Sequence, residues 1–364
     1  MKIGMISPYS LSVPGGVQGQ ILGLARALRA RGEFVRVLGP CDGPPPEPFV
    51  TPLGNCVPTG ANGSVVPLAP DPAAQLRTIR ALRDEEFDVL HLHEPMAPGP
   101  TMTALFVRPC PIVGTFHRAG SSAAYDFFRP FTFRGARRID IRFAVSTDAE
   151  ALATQALGGT YERAFNAVEL ARNQSDQPSK TDGPTIFFLG RHEERKGLAV
   201  LLEAFASLDA SCRLWIGGEG PETKELTSRY AGDPRITWLG RVDDRERVDR
   251  MAGADVFCAP SLHGESFGIV LLEAMAAGTA VVASNIAGYA KVTKNGSDGA
   301  LFPAGDSAAL ATVLDEVLAN RAVRDELIEN GSQRVADFSM QRLADLYFES
   351  YERARAMSPN LGLK

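Results

Sequence analysis

The chain has 364 residues, too many for one comfortable core and the right length for two ordinary domains. With 45% apolar and 22% charged residues it is globular, neither fibrous nor disordered. A net charge of −5 argues against bulk nucleic-acid binding, and five scattered cysteines without a CxxC spacing read as reduced thiols rather than a disulfide framework or a zinc site.

The first half alternates short apolar runs with helical patterns, the mark of parallel βαβ units. A strand over 2–6 follows Met1 directly and leaves no room for a signal peptide; no apolar run nears the roughly 20 residues of a membrane span. A cytoplasmic protein, at most peripheral at the inner face of the plasma membrane, is the expectation. Next comes Pro14-Gly-Gly-Val-Gln18, at the head of a helix over 17–30. Glycines there let backbone approach a ligand, and a helix N-terminus favours phosphate; a tight turn feeding a helix explains the same residues equally well. The run is not GxGxxG and lacks an acidic residue placed for a ribose, which counts against a dinucleotide enzyme. A helix over 73–82 and strands over 34–38, 89–92, 112–115 and 142–145 complete this half. His91-Leu-His93 puts two imidazoles on one strand face like a metal pair, but no third ligand is near and a structural role is the better reading. His117 follows the 112–115 strand at its carboxyl end, where such sheets bind ligands, although a lone histidine is often structural.

Residues 171–183 are polar and almost free of large apolar side chains, which predicts an interdomain linker between domains at 1–170 and 184–339. The first 170 residues carry 16 basic and 15 acidic residues and the remainder 22 and 28, so the first domain is the more basic. Further strands over 185–189, 213–216, 236–239, 256–259 and 280–283 give a second parallel sheet. In the tail 340–364 a last helix, 340–356, is expected to pack back on the first domain. The architecture is α/β, two Rossmann-like doubly wound domains facing a central cleft. In Phe187-Phe-Leu-Gly-Arg-His-Glu-Glu-Arg-Lys-Gly197, Arg191 lies past a strand end and Lys196 opens the next helix. Two fixed cations there suit a diphosphate leaving group, whereas His192 and Arg195 read as solvated neighbours. Val242 and Asp243, after 236–239, are weaker candidates near a nucleobase. The run Glu265-Ser-Phe-Gly-Ile-Val-Leu-Leu-Glu273 places Glu265 in a loop and Glu273 about two turns into a helix, with free N–H donors at Phe267, Gly268 and Ile269. A loop carboxylate can accept from sugar hydroxyls and a deeper one can hold a ribose diol.

Together, Phe-Leu-Gly-Arg…Arg-Lys-Gly and Glu265-Ser-Phe-Gly-x4-Glu-Ala-Met-Ala-Ala-Gly-Thr279, with Ser7-Pro-Tyr-Ser10, Pro14–Gln18, His91-Leu-His-Glu-Pro95 and Thr115-Phe-His117, resemble the retaining glycosyltransferases of family 4, which have the GT-B fold. Within it the chain is most similar to the actinobacterial members that move mannose from GDP-mannose to phosphatidylinositol. The resemblance implies that Gly16, Arg191 and Lys196 hold the diphosphate, Glu265 the transferred sugar and Glu273 the ribose. It further implies that His117 hydrogen-bonds the sugar near the reacting carbon, that the anomeric configuration is retained, and that no metal or other cofactor is required. Tyr9, Gln18 and Asn62 are the acceptor-side candidates.

The sequence departs from those relatives in several places, among them the polar 171–183 segment, which lacks the apolar stretch the family usually has after its Asn-Gly-Val. Arg118-Ala-Gly-Ser-Ser122 replaces a threonine-rich run ending in lysine, Pro67 replaces an arginine, and Asn166-Ala-Val168 replaces Asn-Gly-Val. An alanine at 167 predicts a strained or rearranged turn if a positive φ is needed. A soluble cyclitol, aminocyclitol or secondary metabolite is the alternative acceptor; an epimerase fits less well because His117 alone supplies no general-base constellation, and a non-catalytic sugar-nucleotide binder fits less well because Arg191, Lys196, Glu265 and His117 are intact. Two basic clusters, Arg77, Arg80 and Arg83 and then Arg129, Arg134, Arg137, Arg138 and Arg142, are candidates for peripheral contact with an anionic membrane.

Overall fold

A computed structural model of the chain describes residues 1–13, 15–61, 64–117, 129–265 and 267–358. Asn62, Arg118, Ser266 and the 118–122 segment lie outside them, as do the side chains of Pro67 and Arg129. The chain divides into two compact units, one comprising Met1–Ala167 and the chain from Met340, the other Val168–Ser339.

In the first unit, β1 (Lys2–Ile6), β2 (Phe34–Gly39), β3 (Val50–Pro52), β6 (Val89–His93), β7 (Ile112–Phe116), β8 (Ile141–Ala144) and β9 (Glu162–Arg163) form one sheet ordered β3-β2-β1-β6-β7-β8-β9; β4 (Val57–Ala61) and β5 (Ser64–Leu68) form a separate hairpin. Every pairing in the large sheet is parallel. Such strands are buried on both faces and therefore read as continuous apolar runs, as Ile3–Ile6 does. One face packs the helix Gly16–Ala30 and the C-terminal helix Met340–Met357 around Ile3, Val35, Phe143 and Tyr347; the other gathers Leu38, Leu90, Leu105 and Ile112.

In the second unit, β10 (Thr185–Leu189), β11 (Arg213–Gly217), β12 (Ile236–Gly240), β13 (Val256–Ala259), β14 (Ala280–Ser284) and β15 (Ala300–Phe302) form a parallel sheet ordered β12-β11-β10-β13-β14-β15. Leu198, Phe205 and Leu314 cover one face; Phe187, Trp215 and Leu272 fill the other. Strand order reverses between β1 and β6 in the first sheet and between β10 and β13 in the second. Their carboxyl edges at these reversals are where a doubly wound sheet leaves a crevice for ligands.

Two local expectations are corrected. The polar 171–183 segment is not a free linker: it belongs to the second unit. Asn173 is buried with its Oδ1 accepting from Arg247, Ser175 Oγ donates to Asp249, and the Ser179 N–H donates to the Asp249 carbonyl. Its polarity serves these bonds to the helix Asp244–Gly253. Nor is there strain at Ala167, which does not adopt a positive φ. Its N–H and C=O instead pair with the buried Gln20 amide, both at 2.8 Å. A side chain from the first helix thereby satisfies the backbone where the chain leaves the first unit.

Candidate active site

In the second unit the site begins where β10 ends. The short turn Glu194–Lys196 closes on Gly197, whose φ is +68°, and a Cβ there would lie 2.0 Å from the Pro260 carbonyl oxygen. Only glycine fits both demands. This close approach ties the loop after β10 to the loop after β13, and the Leu262 N–H donates to the Arg195 carbonyl at 2.8 Å. The two loops bring three charged groups together: Lys196 Nζ lies 2.6 Å and Arg195 Nη1 2.9 Å from the same Glu265 oxygen, Oε1. Arg195 also pairs with Glu193, so it is part of this cluster and not a solvated neighbour. Arg191 remains 66% exposed, with a loose 3.4 Å contact to Glu193, and of the described cations in this loop it is the most open to an anion.

Gly268 (φ +87°) ends that loop and caps the helix Ile269–Ala276. A Cβ on it would meet the Tyr289 ring at 2.7 Å. Tyr289 is buried, its hydroxyl bonded to Ser261 and its pKa pushed up by burial and by the Glu265 charge. The left-handed glycine forces the helix to start at Ile269, so Glu273 lies about one turn inside it, not two. There its carboxylate is 3.4 Å from Arg247 Nη1, and burial raises its pKa against the opposing pull of that arginine. Phe267 packs edge-on against Phe338. Val242 lies on Gly217 so closely that a Cβ there would come within 2.9 Å of it. His192 is likewise not solvated: it is buried between Phe188 and Trp238, bonded to Thr223, with its pKa lowered by burial.

In the first unit the carboxyl ends of β1, β6 and β7 carry the remaining candidates. Gly16 opens its helix, and a Cβ on it would meet nothing within 4 Å. The described surroundings therefore do not sterically require a glycine at 16. Tyr9 bridges to Leu68, while the Gln18 amide is buried and donates to the Ser10 carbonyl. His117 is fixed on two sides. Its N–H donates to Glu94 Oε1 at 2.6 Å, and Nε2 lies 2.9 Å from His93 Nδ1. Glu94 is itself in the left-handed region (φ 48°), a strained conformation of the kind that clusters at functional edges. Burial lowers the His117 pKa to about 4, so the ring is neutral at pH 7.

The His91–His93 pair splits into two tasks. His91 is satisfied on both nitrogens, by Tyr351 Oη at 2.8 Å and Thr115 Oγ1 at 2.7 Å, and Thr115 also bonds Tyr347. His93 reaches His117 instead, a link that only the His-x-His spacing hinted at. The basic clusters also divide. Arg77 donates to the Leu53 carbonyl, Arg138 to the Leu105 and Phe106 carbonyls, and Arg142 to the Gly158 and Ala136 carbonyls. Arg80, Arg134 and Arg137 stay exposed, the last over the exposed Phe133 ring.

Residues 14–172 match the family described as Glycosyltransferase Family 4, and residues 171–334 match Glycosyl transferases group 1. The phosphatidyl-myo-inositol mannosyltransferase of Mycobacterium leprae is 43% identical, with 97% of this chain and 96% of that protein covered. The enzyme of the same name from Mycolicibacterium smegmatis is 39% identical over 97% of this chain and 94% of its own. Among solved structures, Anabaena HepE in complex with UDP superposes with a TM-score of 0.74 at 18% identity, covering 97% of this chain and all (100%) of that one. The fold is GT-B, built of two Rossmann-like parallel-sheet domains, and the chain belongs to glycosyltransferase family 4.

Proposed function

We propose that this glycosyltransferase moves mannose from GDP-mannose to phosphatidyl-myo-inositol with retention of configuration. The convergence of Lys196 and Arg195 on Glu265 carries the donor half of this reading, and the relatives' shared name over nearly the whole chain carries the acceptor half. Arg191 and Lys196 bind the diphosphate at the start of the helix at Ile269, a role the family resemblance also gives to Gly16, so the leaving group's charge is stabilised by fixed cations and N–H dipoles without a metal. Glu265 accepts from sugar hydroxyls, Glu273 holds the ribose diol, Val242 flanks the base, and His117 bonds the sugar near its reacting carbon. Tyr9, Gln18 and Asn62 serve the acceptor. No helix among the described residues is long and apolar enough to cross a membrane. Peripheral contact with anionic lipid through Arg80, Arg134 and Arg137 brings the enzyme to its acceptor.

The test is transfer from a panel of GDP- and UDP-sugars, first without acceptor and then with phosphatidylinositol vesicles. Vesicle-dependent mannose transfer from GDP-mannose is expected. Transfer from UDP-sugars alone overturns the donor, and transfer to free inositol or an aminocyclitol but to no inositol lipid overturns the acceptor.

A further inference from the structure

We propose that His93 is a positioning residue that fixes the tautomer and ring plane of His117, so that His117 offers an Nδ1–H donor to the sugar. The inference rests on reading His117 as the residue that meets the transferred sugar.

His93 is 2% exposed, and its ring lies edge to edge with that of His117, centroids 5.2 Å apart and planes 24° apart. Between His93 Nδ1 and His117 Nε2, at 2.9 Å, one proton is shared. Burial lowers the pKa of both rings, so each carries a single N–H at neutral pH. Two arrangements satisfy the contact. His93 can donate from Nδ1, which leaves its buried Nε2 as a bare lone pair. Alternatively it can accept at Nδ1, which leaves an Nε2–H buried with no acceptor. Among the described residues His93 Nε2 has no hydrogen-bond partner, so one of these two defects is present.

An orphaned buried N–H is the rarer and costlier defect, because an acceptor nitrogen tolerates an apolar surrounding better than a donor does. His93 therefore donates, His117 Nε2 accepts, and the His117 proton moves to Nδ1. His91 cannot compete for this bond, since Tyr351 and Thr115 occupy both of its nitrogens. Its ring instead packs against that of His93, with centroids 4.2 Å apart. The Glu94 carboxylate pins the His117 backbone, and the two constraints together leave the ring one orientation.

The experiment is long-range ¹H–¹⁵N correlation of histidine-labelled protein at neutral pH, with His117→Gln to assign the signals, alongside steady-state kinetics of His93→Leu and His93→Asn. Wild-type His117 should show a protonated Nδ1 and a bare Nε2. In His93→Leu that preference should relax toward the Nε2–H form, with kcat reduced about tenfold, the equivalent of one neutral hydrogen bond, and KM for the donor nearly unchanged. Asparagine places an amide nitrogen near the position of Nδ1 and should restore most of kcat. A wild-type His117 protonated at Nε2 overturns the proposal whatever the kinetics. So does a His93→Leu protein with an unaltered tautomer, or an equal loss of kcat in both variants, which signals packing alone. If the protein transfers no sugar, the nitrogen shifts still decide the tautomer, and only the proposed reaction falls.

Discussion

On the proposed reading Glu265 and the donor diphosphate compete for Lys196, and this gives Glu265→Gln an unusual expected sign. In the structure the Glu265 carboxylate neutralises Lys196 at 2.6 Å and Arg195 at 2.9 Å, with side chains 16% to 39% exposed. Pairs that are partly open to water are worth about 1–2 kcal/mol together, well below the value for a dry pair. Replacing the carboxylate by a neutral amide frees Lys196, so GDP is expected to bind about 5- to 30-fold more tightly. The same change removes the carboxylate that the proposed function places on the sugar, and transfer should fall by about a hundredfold or more. Lys196→Ala should act the other way on affinity, losing about 2–3 kcal/mol or roughly 30- to 150-fold, because a charge-assisted contact to phosphate disappears. Calorimetry with GDP separates the cases. In a double-mutant cycle the two changes should be coupled by about 1 kcal/mol, since Glu265 competes only where Lys196 is present. If Glu265→Gln weakens GDP as much as Lys196→Ala does, the carboxylate is not a competitor and the reasoning fails.

Other expectations come from the buried polar groups and the left-handed glycine. Burial holds the pKa of His91 down to about 3, and that of His93 well below the usual range. A depressed folded-state pKa gives stability that is present above the unfolded value near 6.5 and lost as pH falls below it. Urea unfolding should therefore show on the order of 2 kcal/mol lost per histidine between about pH 7 and 5; a profile with no slope there contradicts the burial argument. Tyr351→Phe strips the hydroxyl from His91 Nδ1 and should cost about 1–3 kcal/mol, and an unchanged urea midpoint refutes it. Gly268→Ala must carry a Cβ at positive φ against Tyr289, so about 1–3 kcal/mol of stability and most of the GDP affinity should go together. Thermal unfolding beside GDP titration checks this, and loss of neither would show that the loop has room.

The parallel strands were legible because burial on both faces writes an apolar run into the chain, as in Ile3–Ile6 and Val256–Ala259. The loops after β10 and β13 were legible as motifs for a related reason: Gly197 and Gly268 are demanded by backbone geometry, and the charged residues lie at fixed offsets from them. Short or edge strands escaped. β9 has two residues, β15 has three, and the β4–β5 hairpin contains Pro58 and Pro67, which break the usual alternation. Glu273 lies a turn shallower than the sequence suggests, because a left-handed Gly268 looks, in sequence, like one more helical residue.

The polar contacts were the least legible part, and the reason is distance along the chain. His91 meets Tyr351 across 260 positions, Thr115 meets Tyr347 across 232, and Gln20 meets Ala167 across 147. No local period records such pairs, because one hydrogen bond needs only one residue at each end. A tyrosine at 347 or 351 reads as part of the apolar stripe of a terminal helix, and its rings are indeed buried in the core. What the stripe does not reveal is that the two hydroxyls satisfy Thr115 and His91. With those groups occupied, His93 is the neighbouring imidazole that remains for His117. The C-terminal helix thus bears on the candidate site without contributing a residue to it: its two phenols help determine which histidine orients the one at the sheet edge.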